Sequence, residues 1–169
     1  IVRDPRNVIT SFKNHFFLKT YNKALALMKN ENVWGGELKT NEVPHFISSW
    51  EHHFESWAMF PKNYILFKYE DIQDNPKKQI NRLIEYLQKF IKINPDTQTI
   101  DQIIKDTNFE NLKSLEKEGK FLENSIDYKT NNKATFFNLE PKNDYRKLLD
   151  KEIQIENEKR FKDTMKKLD

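Results

Sequence analysis

The chain has 169 residues, of which 37% are hydrophobic and 33% charged, with 13 phenylalanines and a formal net charge of +3. That length fits about one domain, the aromatic content can build a core, and the composition excludes an unfolded chain. Cysteine is absent, which excludes disulfide and thiol chemistry and is compatible with a reducing compartment. No apolar run approaches the ~20 residues of a membrane helix, and the opening residues do not read as a signal peptide. Lysine and glutamate are mixed along the chain and no arginine-rich run interleaves with aromatics, so a nucleic-acid groove rests on the mild charge alone.

Ile1 and Val2 are β-branched and read as the end of a buried strand. Asp4 is a good helix N-cap, and Pro5 suits the first helical position, where its missing N–H costs nothing. Val8, Phe12, His15 and Phe16 recur at helical spacing, so a helix is expected over about 5–19. Residues 20–41 hold two of the three glycines and read as a loop or lid. A second helix is expected over about 42–58, with Phe46, Trp50, Phe54 and Trp57 on one face. After a Pro61-Lys62 turn, residues 63–70 contain the unbroken apolar run Tyr64-Ile65-Leu66-Phe67, which suits a central strand covered on both faces.

Residues 71–75 read as a turn, and Pro76 opens the clearest helix. Its stripe runs through Ile80, Leu83, Ile84, Leu87 and Phe90-Ile91 until Asn94-Pro95 breaks it. A short helix is expected over 97–105, and another carries Phe109, Leu112, Leu115 and Phe121. Residues 123–147 are polar and read as a long surface loop, a type often functional or mobile. A charged terminal helix is expected over 152–168. No internal repeat or second domain is visible. Helices alternate with only two strands, one of them cut at residue 1, so the expectation is the C-terminal part of an α/β domain.

Three places carry chemistry. A strand that turns into a helix at Arg3-Asp4-Pro5 puts its loop at the carboxyl edge of a sheet, where open α/β folds bind ligands. A helix N-terminus favours an anion, Arg3 adds a charge-assisted contact, and Ser11 adds a hydroxyl. The plainer alternative is an arginine paired with a carboxylate and a serine on a helix surface. Lys68-Tyr69-Glu70-Asp71 ends the second strand at the same kind of edge, with Tyr69 facing a ligand or bordering the core. Thr107-Asn108-Phe109 offers amide, hydroxyl and aromatic groups for a base ring, or ordinary capping of the helix at Phe109. The histidines give no metal pattern: His52 and His53 are adjacent and point to different sides of a helix.

In this order the motifs resemble the cytosolic-type sulfotransferases that use 3′-phosphoadenosine 5′-phosphosulfate (PAPS). VRDPRNVITSF has an Arg with a Ser eight positions later, as that family has. SSWEHHFESW is similar to the family's Trp-x-x-His-x-x-x-Trp helix through Trp50, His53 and Trp57. ILFKYEDIQDNP is similar to its Tyr-Glu-Asp strand and turn, and TNFENLKSLE to its Thr-Ser-Phe helix start. The resemblance covers nearly the whole chain and implies a P-loop-NTPase-like three-layer α/β fold with a parallel sheet, residues 1–169 forming one partial domain with its N-terminal portion missing.

The same resemblance implies that Arg3 and Ser11 bind the 3′-phosphate of the cofactor. Tyr69 then contacts the adenine, and Thr107, Asn108 and Phe109 help to hold the ring. The implied reaction is metal-free transfer of a sulfuryl group from PAPS to an alcohol or phenol, leaving adenosine 3′,5′-bisphosphate (PAP), in the cytoplasm. The family's phosphosulfate loop, with its Lys, and its catalytic histidine lie before the Arg motif. His15, His45, His52 and His53 do not fall at that catalytic position, so no catalytic residue is assigned and the 169 residues are expected to be inactive alone.

One departure is local. Where the family has Phe-x-Arg-Lys-Gly and then Gly-Asp-Trp-Lys/Arg-Asn, this chain has Phe136-Phe137-Asn138-Leu139-Glu140 and Asn143-Asp144-Tyr145-Arg146-Lys147. Losing two cations and gaining Glu140 weakens a phosphate grip, at roughly 1.5–3 kcal/mol per charge-assisted hydrogen bond. Lys129, Lys133 or Lys142 could compensate. Two other readings therefore stand beside the enzyme: a sulfotransferase-like binding protein without catalysis, and a glycan-modifying sulfotransferase, which shares the Arg-Asp-Pro start but is disfavoured by the KYED segment. The sequence leaves the acceptor and the oligomeric state open; loop 20–41, with Trp34 and Gly35-Gly36, is where an acceptor-covering segment is expected.

Overall fold

A computed structural model describes residues 1–35, 43–60, 64–123, 126–127 and 130–168. The chain divides into two compact units: Ile1–Arg3 with Ile65–Asn143, and Asp4–Tyr64 with Asp144–Asp169. Gly36, Lys129 and the Pro61-Lys62 turn lie outside the described residues.

The first unit is organised by a parallel bridge between Val2 and Lys68. The Val2 N–H donates to the Phe67 carbonyl and the Tyr69 N–H to the Val2 carbonyl, both at 2.8 Å. Val2 and Phe67 are buried, as the apolar runs predict. The pairing nevertheless extends over one residue, because the chain turns at once into α1u, a helix of residues Tyr69–Asp74. The sequence reading places a turn over 71–75, but Glu70 and Asp71 in the first turn complement the helix dipole and favour this short helix instead. Next come three helices, αA over Pro76–Leu87, αB over Thr97–Asp106 and αC over Phe109–Lys117. Each begins at a side-chain cap: Asn75 accepts from the Lys78 N–H, Asp96 from Thr99 and Asn108 from Asn111. Phe90 and Ile91 lie beyond the end of αA and are exposed, so the apolar stripe outlasts the helix.

The loop expected over 123–147 holds an antiparallel hairpin, Ile126–Asp127 against Asn132–Lys133, and a short helix, Tyr145–Leu148. Polar composition hid both, since a hairpin this short has no alternation to read and the helix is set by its Asp144 cap.

The second unit is built on helices. The first, Pro5–His15, starts at Asp4, whose carboxylate accepts from the Arg6 N–H at 2.9 Å. It stops short of the expected end, and Phe17 takes a positive φ of 51°. The lid expected over 20–41 contains a helix, Tyr21–Lys29, capped by Thr20, with Ala24, Leu25 and Met28 buried. The glycines drew attention away from this stripe. The helix expected over 42–58 begins only at Trp50, after the Ser49 cap, and ends at Ala58. His45–Phe46 instead pairs antiparallel with Trp34–Gly35, so Phe46 leaves the predicted helical face and its ring meets Trp34 at 5.1 Å. Trp50 does pack inward, 5.1 Å from Phe161, whereas Trp57 is exposed. The terminal helix Lys151–Leu168 contributes Ile153 and Phe161 to a core with Ile9, Leu25, Met28 and Leu149. Among the described residues no helix is long and apolar enough to cross a membrane.

Candidate nucleotide site

The bridge that carries Val2 also fixes its neighbour. Arg3 leaves the bridge beside Tyr69, and its guanidinium carbon lies 4.1 Å from the Tyr69 ring centroid. The Tyr69 N–H is held by Val2, so the same backbone contact sets both members of the stack. Arg3 Nη2 donates to the Pro141 carbonyl at 3.2 Å and to the Asn143 side-chain carbonyl. Arg3 Nε is buried and has no hydrogen-bond partner among the described residues. A buried donor without an acceptor is costly, and the group that fits it is an oxyanion, for which the guanidinium fork is shaped.

Residues 136–143 are fastened along this unit at several points. Glu116, on αC, accepts hydrogen bonds from the N–H groups of Phe136 and Phe137. Lys113 pairs with Glu140 at 3.2 Å and Lys142 with Asp74 at 2.5 Å. The Phe137 ring packs edge-on against Phe109 at 5.4 Å and against Phe121 at 4.9 Å. Glu140 and Lys142 are thus each engaged in an ion pair of their own, and Lys133 lines a separate small cavity with Lys113 and Lys117.

Thr107, Asn108 and Phe109 border an apolar cavity of about 630 Å³ with Phe67, Ile80 and Leu83. The Thr107 hydroxyl donates to Ile103 O at 2.7 Å, and the Asn108 amide donates to Lys105 O while its oxygen caps αC. Both polar groups thus serve the helix ends, the plainer of the two roles read from sequence. Phe109 supplies an aromatic surface in the same wall.

Ser11 belongs to the second unit, on the Pro5–His15 helix, where its hydroxyl donates to Asn7 O at 3.3 Å. Arg6 in that unit is already occupied. Its hydrogen bond to Asp4, above all, pushes its guanidinium further above its ordinary pKa, and Glu158 and the Tyr145 ring complete its surroundings. No group of three metal-ligating side chains is found among the described residues.

The first unit thus gathers two sets: Arg3 with Tyr69, and Thr107 to Phe109 with Phe137. Sequence reasoning missed Glu116 and the Pro141 carbonyl. A glutamate late in an amphipathic helix carries no signal, and a main-chain acceptor carries none in any sequence.

The sulfotransferase domain profile matches residues 1–169. The chain belongs to the sulfotransferase family. Rat sulfotransferase 1A1 is 30% identical over 120 residues, 67% of this chain and 36% of that protein. Bovine sulfotransferase 1E1 is 36% identical over 114 residues, 66% of this chain and 36% of that protein. The matched stretches span about a third of the length of these sulfotransferases. Mouse sulfotransferase SULT7A1, solved in complex with PAP, superimposes with a TM-score of 0.69 over 98% of this chain and 57% of its own, at 15% identity. Its P-loop-like α/β fold accounts for the mixed helices and strands seen here.

Proposed function

We propose that this chain is the nucleotide-binding part of a sulfotransferase domain that takes PAPS and passes its sulfuryl group to the hydroxyl of a small alcohol or phenol. The observation that carries the reading is Arg3: stacked on Tyr69, with a buried Nε that lacks an acceptor. A phosphate monoester satisfies that donor, and SULT7A1, which shares the fold, was solved with a nucleotide bearing one. When bound, the donor supplies an electrophilic sulfur whose bond to the phosphate oxygen breaks as the acceptor oxygen bonds to it, leaving PAP.

In this reading Arg3 grips the 3′-phosphate, and Tyr69 holds both Arg3 and the edge of the adenine. Phe109 offers the ring a flat surface, and Thr107 and Asn108 shape the end of that surface from their capped helix ends. What these residues do is hold the nucleotide in place, the larger part of catalysis in transfers of this kind. The acceptor's proton and the transferred group's charge are handled by residues outside these motifs.

Calorimetric titration with PAP tests the reading. Micromolar binding by the full chain, lost in Arg3→Ala, is expected. Equal binding by Arg3→Ala and the parent would show that Arg3 has no such role. A second reading, a non-catalytic binding protein, draws on Asn138-Leu139-Glu140, which carries no cation of its own and whose Glu140 pairs with Lys113. Absence of PAP binding by the parent favours it.

A further inference from the structure

Three contacts fix the guanidinium of Arg3, and they hold different parts of it. The Tyr69 ring covers one face, its centroid 4.1 Å from the guanidinium carbon. The Pro141 carbonyl and the Asn143 side-chain oxygen both accept from Nη2, which uses the two protons of that nitrogen. A planar group with one face covered and one corner tied at two points cannot turn without breaking a contact. Beside the tied corner lies Nε, buried and without an acceptor among the described residues. The two acceptors sit on a firm mount. The Asn143 N–H donates to the Glu140 carbonyl at 3.0 Å, Glu140 pairs with Lys113, and Lys142 pairs with Asp74. Glu116 holds the same segment further back, at Phe136 and Phe137.

We propose that Asn143 aims Arg3: its side-chain oxygen, together with the Pro141 carbonyl, ties Nη2 so that the Nε–H is held ready for one oxygen of a phosphate monoester. Both holders are neutral, so they fix the guanidinium without cancelling its charge. A carboxylate in the same place fixes it and neutralises it as well. An untied arginine loses more rotamer freedom when it grips a ligand, so tying it beforehand strengthens the grip that follows. Asn143 stands where the matching motif has glycine, so this contact comes from a side chain that the motif itself does not supply. The inference rests on the proposed nucleotide role of Arg3 and adds to it a residue that acts through Arg3. Asn143 is a positioning residue and takes no part in the chemistry.

The test uses the full chain with PAP as the probe and the Arg3 Nε–H signal in proton–nitrogen NMR as a second readout. Asn143→Ala is expected to bind PAP about fivefold more weakly, the size of one modest hydrogen bond. Arg3→Lys keeps the charge but has no fork to aim, so in that background the same change is expected to cost less than about twofold. Without ligand, the Arg3 Nε–H signal is expected to be sharp in the parent and in Asn143→Asp, and broadened by exchange with water in Asn143→Ala. Asn143→Asp is nevertheless expected to bind PAP more weakly than the parent, because it holds the guanidinium and cancels its charge. PAP is expected to move the parent's signal downfield, as a bond to phosphate does. PAP binding as tight as the parent's by either Asn143 variant, an equal loss for Asn143→Ala in both Arg3 backgrounds, or a parent signal that bound PAP leaves in place overturns the proposal. If the parent binds no PAP, the proposed function fails separately, and an Nε–H signal unchanged in Asn143→Ala then overturns the positioning role itself.

Discussion

The guanidinium of Arg3 stacks on the ring of Tyr69 because one backbone bridge, Val2 to Lys68, carries their two chain neighbours side by side. The pair is thus set by main-chain hydrogen bonds and needs no long side-chain search. This gives Tyr69 two separable contributions, a ring face and a hydroxyl. Tyr69→Phe keeps the face and is expected to bind PAP within about twofold of the parent, while Tyr69→Ala removes a contact of about 0.5–2 kcal/mol and weakens binding accordingly. Isothermal titration of both variants checks this. A larger loss in Tyr69→Phe than in Tyr69→Ala contradicts a stacking role.

Glu116 anchors the other end of the segment. Its carboxylate accepts from two successive N–H groups, Phe136 and Phe137. Both sites are near the surface, so water replaces part of what is lost. Glu116→Ala is expected to lower stability by only about 1 kcal/mol but to speed amide exchange at Phe136 and Phe137 far more than within αC. Glu116→Gln, which keeps an acceptor, is expected to fall between. Unchanged exchange at the two phenylalanines in Glu116→Ala rules out the anchor.

Much of this was legible where local chemistry decides. Pro76 after a capping Asn75, Asp96 before Thr97 and Asn108 before Phe109 mark three helix starts, and all three helices begin there. The Tyr21–Lys29 helix was not legible as such because Gly35 and Gly36 made its whole neighbourhood read as loop, although Thr20, Ala24, Leu25 and Met28 carry the pattern. The apolar run 64–67 predicts burial but cannot say how far pairing extends, since a strand's length depends on its partner. In the site, Arg3, Tyr69 and Phe109 came from motif order. The contact of Arg3 with Pro141 and Asn143 depends on where a polar segment folds back, which no periodicity records.

Transfer itself separates binding from catalysis. The 169 residues carry the proposed nucleotide grip and no assigned base or phosphosulfate-binding lysine, and their match covers only 36% of each of these two sulfotransferases. The expected outcome is PAP binding without transfer of sulfate from PAPS to a phenol such as 2-naphthol. Labelled-sulfate turnover by these residues alone, abolished by Arg3→Ala, contradicts this.

Phe161 is the residue on which the second unit's stability is expected to depend most. Its side chain is fully buried, it meets Trp50 edge-on at 5.1 Å, and it shares a core with Ile9, Leu25 and Met28. The Arg160 guanidinium, just before Phe161, and the Thr164 hydroxyl, about one turn after it, both donate to Glu51, so the helix bearing Phe161 is pinned against sliding to refill a void. Truncation should therefore carry the full transfer and cavity cost, about 3–5 kcal/mol for Phe161→Ala. Phe161→Leu should lose much less because it retains most of the volume. Denaturant unfolding followed by circular dichroism reads the difference directly. Equal midpoints for Phe161→Ala and the parent are incompatible with this packing.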